Sequence, residues 1–515
     1  MKKKYVRWTL WTIASPFILF IILCILIYLP PIQNFLVDKA AVYASEATGM
    51  NISVGRISLS FPLNLVVTNV DAASPHNDTL LSVRRLQVNV QLLPLLKKQV
   101  EVDGISLQGA TVNSNDLIHG MKLNGTLGEL FISSHGVALD PETAIVNKVL
   151  LKDTDLSLCL NDTAAADTAA SDTTYWKIIL QDIDLQNVSF ALDMPLDSLS
   201  LAASLDNAIL RDGLIDLHKS AYSLQTFRIE NGRVRYDNGK PLAADSLSSG
   251  LDPSHIALTD IGVKLDSLYY GGRNMKAIIS QFVLKERSGV EIVSATGRMV
   301  SNDKVLRVPS LKLETRDSYL ELNAAMDWDA LDFKKEGLVS ARLMADIGKP
   351  DVVRFMGSMD EKFIRKYPSE PLRIRTGIDG DLNKLKLTTL TAELPGALEL
   401  FAKGELTSLT DSLLRGGDIT LQAETKDLKF ISTLAEGIEI PYGTRLEGKF
   451  TMAGPKMGTD LLLMQPEAHA VAAADTIPIT VYNDSISVAD DFKMERAARL
   501  FAKYDLSRDR YEADL

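Results

Sequence analysis

From Gly49 onward, apolar residues recur at every second position in short runs bounded by Gly, Asn, Asp and Pro. Ile52 and Val54 alternate, Gly55 shifts the phase, and Ile57, Leu59 and Phe61 continue. Leu86, Val88, Val90 and Leu92 repeat the pattern, followed by Val100 and Val102. A period of two puts the apolar side chains of a run on one face of a strand, so these runs predict half-buried antiparallel strands. The gaps between runs accommodate hairpins but no crossover helices, which argues against a parallel α/β sheet. The predicted fold class is mainly β.

A finer regularity runs through the first half: apolar, any residue, apolar, four residues, apolar. It occurs at Ile105/Leu107/Val112, Val149/Leu151/Leu156, Ile183/Leu185/Phe190, Phe227/Ile229/Val234 and Ile256/Leu258/Val263. A small or turn-forming pair sits between the second and third positions, such as Gly109-Ala110, Asp153-Thr154 or Asn231-Gly232. The motif predicts a strand, a bend or bulge, and a strand leaving on the same face. Leu107, Val112, Leu151, Leu156, Leu185, Phe190, Ile229, Val234, Leu258 and Val263 are therefore candidate lining of an apolar groove. Ordinary sandwich core is the other reading, and periodicity alone does not separate the two.

A longer repeat follows. Residues 306–322 resemble 385–400: Leu306, Val308, Leu311 and Leu313 correspond to Leu385, Leu387, Leu390 and Ala392. After the turn, Leu320 and Leu322 are matched to Leu398 and Leu400. Short helices are predicted at Asp351–Met356 and Asp427–Leu434, each with an Asp placed to cap its first turn. Repeats of this kind imply unit-by-unit growth of one sheet. Residues 161–174, low in complexity and without large apolar side chains, read as a flexible loop, and 465–491 as an insertion.

The N-terminus differs. Residues 8–29 carry no charge, and at about 1.5 Å per residue would span about 33 Å, against a hydrocarbon core of about 30 Å. Trp8, Trp11 and Tyr28 stand near the ends of this run, with Phe17 and Phe20 inside it, as expected of a membrane anchor. Lys2, Lys3, Lys4 and Arg7 precede it, so residues 1–7 are expected in the cytoplasm and the body on the other side. A cleaved signal peptide fits less well, because the run is too long and ends in Leu29-Pro30-Pro31 without a small-residue cleavage site. Residues 30–48 carry a helical stripe of Ile32, Phe35, Leu36, Ala40, Tyr43 and Ala47, with Gly49 as its stop. The last strand, in 492–515, reaches Leu515 without a closing turn, which reads as truncation of a longer protein.

The search for chemistry comes back thin. A net charge of −11 without a basic stripe argues against a nucleic-acid partner. Cys24 and Cys159 lie in unrelated contexts and are not expected to pair. His76, His119, His135, His218, His255 and His469 have no metal-ligand spacing and read as solvated loop residues. There is no nucleophile elbow, Walker loop or dinucleotide fingerprint. The pairs Asp153/Asp155 and Asp182/Asp184 read as a polar strand face, not an acid–base pair. No enzyme is expected, and no cofactor.

The order of parts resembles the start of the AsmA-like family. The residues that carry the resemblance are Thr48-Gly49, Ile52, Val54-Gly55-Arg56-Ile57, Leu65–Val70 and the stretch 86–112 with its Leu-Leu-Pro-Leu-Leu turn. The chain is most similar to the N-terminal part of the TamB-like branch, the translocation and assembly module subunits, in Bacteroidota form. The resemblance implies a single-pass inner-membrane anchor, then an elongated, curved antiparallel sheet in the periplasm known as a β-taco. The N-terminal β region would be 49–160 and a repetitive β-groove 175–464. The implied role is outer-membrane biogenesis, with phospholipid moving between membranes along the groove. The alternative role is assembly or export of proteins with an outer-membrane barrel partner. A surface adhesin with a solenoid body is a third, weaker possibility.

Overall fold

A computed structural model describes residues 39–514 except 40, 43–44, 47–48, 61–63, 75–78, 91–101, 115–120, 139–141, 162–174, 240–249, 333–334, 336, 356–360, 410, 412, 434–441, 467–478, 483–484, 489–493 and 506–509. The expected anchor, with Trp8, Trp11, Phe17, Phe20 and Tyr28, lies outside the described residues, among which no helix is long and apolar enough to cross a membrane. Lys39, Ala41, Val42, Ser45 and Glu46 are helical. Gly49 follows at φ +69°, and its amide donates to the Ser45 carbonyl at 2.9 Å. That is a left-handed helix stop, a conformation that glycine adopts without a steric penalty.

The described chain is mainly β and divides into two compact units. The first holds β1 (Asn51–Ser60), β2 (Asn64–Ala73), β3 (Thr79–Val90), β4 (Val102–Asn113), β5 (Met121–Ala138) and β6 (Thr143–Leu160). It continues with β7 (Lys177–Met194), β8 (Leu199–Asp216), β9 (Ala221–Leu224), β10 (Thr226–Asn238) and β11 (His255–Gly271). From β1 to β6 each strand pairs antiparallel with the one before. β8 then pairs antiparallel with both β7 and β10, and β10 with β11. The short β9 joins the ends of β8 and β11.

One pair departs from the antiparallel expectation: β6 and β7 run parallel from Thr143↔Lys177 to Cys159↔Asp193. A parallel neighbour needs a connection of about a dozen residues or more. The segment read as a flexible loop, with the residues that flank it, supplies that length between β6 and β7.

The second unit holds β12 (Asn274–Glu286), β13 (Glu291–Ser301), β14 (Val305–Thr315), β15 (Tyr319–Asp327), β16 (Val339–Ile347) and β17 (Leu372–Gly380). After these come β18 (Lys384–Leu394), β19 (Leu398–Thr407), β20 (Gly416–Thr425), β21 (Arg445–Ala453) and β22 (Lys456–Pro466). Successive strands pair antiparallel throughout. Segment 465–491 contains its own hairpin, β23 (Ile479–Tyr482) with β24 (Ser485–Val488). The main ladder resumes with β25 (Met494–Asp505) on β22 and β26 (Arg510–Asp514) on β25.

The sequence repeat is visible in the pairing, with one adjustment. Both β14 and β18 shift register at the same place, between Val308 and Leu311 and between Leu387 and Leu390. Beyond the turn, Leu313 faces Leu320 whereas Ala392 faces Leu400, so Leu320 corresponds to Leu400 and not to Leu398. The second hairpin makes one more pair, Leu394↔Leu398, before it turns.

The two helical expectations fare differently. α1 (Lys349–Phe355) forms, but the Asp351 carboxylate does not cap it. Asp351 is 1% exposed and accepts hydrogen bonds from the Thr315 and Ser318 hydroxyls of the β14–β15 turn and from Arg354 (2.9 Å). In the second segment only Ile431–Thr433 is helical, as one 3₁₀ turn, with Asp427 accepting from the Lys429 amide at 3.1 Å. Together with α2 (Glu361–Lys366), this segment builds a dry cluster of Phe363, Tyr367, Leu394, Ala397, Leu428 and Phe430 over the β18–β19 turn.

Candidate functional site

The ten candidate lining residues fall into two rows across the first unit. In one, Leu107 faces Leu130, Leu130 faces Leu151, Leu151 faces Leu185, Leu185 faces Ala208, Ala208 faces Ile229 and Ile229 faces Val263. In the other, Val112, Gly125, Leu156, Phe190, Ala203, Val234 and Leu258 are consecutive partners. Directly opposed residues share a face of the sheet, so each row is a continuous apolar band. Neither row contains an ionisable side chain.

Between the rows every strand breaks its pairing at one position. Lys152 pairs with Gln186 and Thr154 with Val188, which leaves Asp153 and Asn187 out of the ladder. The same gap falls at Asn69, Gly109, Gly128 and Asp206 on neighbouring strands. Asn69, Gly109, Asp153, Asn187, Asn231 and Asp260 all adopt φ between +49° and +62°. Left-handed residues inside a strand turn it sharply, and Asn, Asp and Gly tolerate that conformation best. Asn187 Nδ2 donates to Asp153 Oδ1 at 2.9 Å, which ties neighbouring corners together.

The corner explains the four-residue gap in the motif. Skipping one residue returns the apolar pattern to the same face, from Leu185 to Val188 and Phe190. The corner residues Asp153 and Asn187 are exposed, whereas Thr154 and Ala208 beside them are buried.

Reading the motif in one direction missed two of the seven strands that carry it. β5 and β8 run opposite to β4, β6, β7 and β10, so they carry it reversed, as Gly125/Leu130/Ile132 and Ala203/Ala208/Leu210. β11 also runs in reverse: its three positions are Leu258, Val263 and Leu265, while Ile256 lies one row further out, opposite Tyr236. A search for the reversed spacing would have found Leu265, through Leu258 and Val263, but not Leu130, because Gly125 holds the first position on β5. Ala203 and Ala208 are too small to signal.

The face is not a dry interior. None of the ten residues is buried; nine are partly exposed and Phe190 is 38% exposed. In a filled sandwich core such side chains lose nearly all contact with water.

The opposite face is mixed, with Phe131, Leu150 and Ile209 in one row with Asp184. Arg211 pairs with Asp182 and, at 3.0 Å, with Asp184, which makes these carboxylates ion-pair partners. Asp153 serves the corner. His218 packs edge-on against Tyr175, with ring centroids 5.5 Å apart. His255, expected in a solvated loop, is instead a buried strand residue opposite Asp237, because β11 begins there. The side chains of the other four histidines lie outside the described residues.

The second unit has a depression of about 490 Å³ on its charged face, lined by Glu393, Glu399, Phe401, Glu424, Arg445 and neighbours. Three of its four acids are engaged by cations: Lys426 with Glu399 (3.0 Å), Arg445 with Glu424 (3.6 Å) and Arg373 with Glu393 (3.3 Å). Among the described residues no His, Cys, Asp and Glu side chains gather as a metal site. No family model matches this sequence, and no curated protein matches it.

Proposed function

We propose that the first unit holds the acyl chains of phospholipid on its apolar face, in a membrane-anchored periplasmic scaffold for outer-membrane biogenesis. The observation that carries this reading is the partial exposure of two continuous apolar rows bounded by regular corners. Fully burying a Leu, Ile, Val or Phe contributes about 2 kcal/mol, so ten residues left between about a tenth and two fifths exposed forgo about 4 kcal/mol. That is a sizeable fraction of the stability of a whole domain. A chain under selection for stability alone would fill this face.

An acyl chain of about 16 carbons has the complementary deficit, about 12 kcal/mol in water at about 0.8 kcal/mol per CH₂. Each surface covers the other, and the corners would wrap the sheet around the chains as a β-taco. Rows that run from strand to strand without a charged gap would let a lipid slide instead of dissociating. The TamB-like resemblance, the expected anchor at 8–29 and its basic flank supply the inner-membrane attachment and the periplasmic location.

Leu185→Asp tests this. A charge in the middle of the row should abolish lipid transfer between donor and acceptor vesicles while strand content stays unchanged by circular dichroism. Normal transfer by a folded variant would remove the reading. Co-purification with an outer-membrane barrel protein, with lipid transfer intact in Leu185→Asp, would favour the assembly role.

A further inference from the structure

Beyond the corner already described, the long strands break a second time. Leu180 pairs with Gly213 and Asp182 with Arg211, which leaves Gln181 and Asp212 unpaired; Asp212 has φ +51°. On the neighbouring strand Asn147 falls in the same column, its Nδ2 donating to Gln181 Oε1 at 2.8 Å. The step from Ile183 back to Leu180 repeats the step from Leu185 to Val188, so the apolar pattern stays on its face through this corner too. It ends in one last row, in which Ile178 faces Ile215, Ile215 faces Tyr222 and Tyr222 faces Tyr270.

Two tyrosines therefore terminate the face at this end. Their rings are stacked, with centroids 6.2 Å apart and planes 29° apart. They are 41% and 46% exposed. Neither phenol is hydrogen-bonded among the described residues, unlike Tyr236, whose hydroxyl accepts from Asn238 at 3.1 Å, or Tyr319, which donates to Glu321 at 2.7 Å. A tyrosine ring covers aliphatic surface while its hydroxyl donates to a polar group, the combination that suits a boundary between apolar and wet surroundings.

We infer that Tyr222 and Tyr270 form the headgroup subsite of the apolar face, their hydroxyls donating to the phosphodiester oxygens of a glycerophospholipid whose acyl chains lie on the rows of Leu185 and Phe190. This rests on the proposed lipid-holding role and adds a polarity to it: heads at the rim made by β9 and the end of β11, tails toward the first corner. Hydrogen bonds to an ionised phosphate are stronger than those between neutral groups, so two phenol donors suffice to orient a ligand that the rows themselves hold without direction.

The test uses full-length protein and two phosphatidylethanolamine probes, one with a diazirine on the head amine and one with it at the acyl terminus. Labelled peptides are mapped by mass spectrometry. The head probe should mark 221–224 and 268–271, and the acyl probe 183–192 and 201–210. Tyr222→Phe with Tyr270→Phe keeps the stacked rings but removes two charge-assisted hydrogen bonds, and should cut head labelling there by more than about tenfold, with acyl labelling unchanged. Head labels elsewhere, or head labelling indifferent to the double substitution, would overturn the subsite and leave the lipid-holding role standing. Failure of the acyl probe to mark 183–210 would overturn both.

Discussion

At the scale of single residues, two devices stand out: corner glycines and one buried carboxylate. A Cβ on Gly128 would lie 2.8 Å from Asp153 Cβ and 2.9 Å from two backbone oxygens. Gly128→Ala should therefore destabilise the first unit by about 1–3 kcal/mol, read from chemical denaturation, since the obstacle is largely backbone. Burial pushes the Asp351 carboxyl up, but hydrogen bonds from Ser318, Thr315 and Arg354 outweigh it and hold the group below the ordinary carboxylate range. A carboxyl depressed in the folded state contributes stability above its unfolded pKa and loses it as pH falls through the folded value. Asp351→Asn should cost about 2 kcal/mol at neutral pH. Acid titration of the variant should lack the wild-type decline that begins below about pH 4. Arg354 retains Asp317 at 3.0 Å in that variant, which keeps the cost moderate.

At the scale of elements, the spacing of Ile183, Leu185 and Phe190 marked residues that fall in the rows, and Asp153-Thr154 and Asn231-Gly232 marked a bend; Asn187 at the same corner was not singled out. The direction of β7 was not legible, because a strand's own residues do not record which way its neighbour runs. Turn length was equally silent: the extra pair Leu394↔Leu398 displaces every later correspondence by two residues, although the residues before it align. His255 was misplaced by a single position, since the apolar alternation announces the strand only from Ile256. Asp351 was recognised as important to its helix, but its partners come from the β14–β15 turn, more than thirty residues away. The dry cluster over the β18–β19 turn was invisible as a unit because its members come from three separate segments. Phe363, 2% exposed at its centre, should cost about 3–5 kcal/mol on change to Ala. Hydrogen exchange should then accelerate in 361–367 and 428–431, with protection of the first unit unchanged.

At the scale of the molecule, two kinds of β construction coexist. The second unit seals the β18–β19 turn with aromatic side chains, whereas the apolar rows along the strands of both units are left partly wet. Binding a lipid to the folded state alone stabilises it by mass action, about 2.7 kcal/mol when lipid stands at a hundred times its Kd. Delipidated protein should therefore melt at a lower temperature than protein resupplied with phosphatidylethanolamine. The gain should vanish in Leu185→Asp. The most direct measurement is photo-crosslinking in living cells, with a photoreactive amino acid placed at Leu185 and, separately, at Ile229. If the apolar face carries lipid, both positions capture phospholipid. A protein-only crosslink pattern at both positions would contradict it.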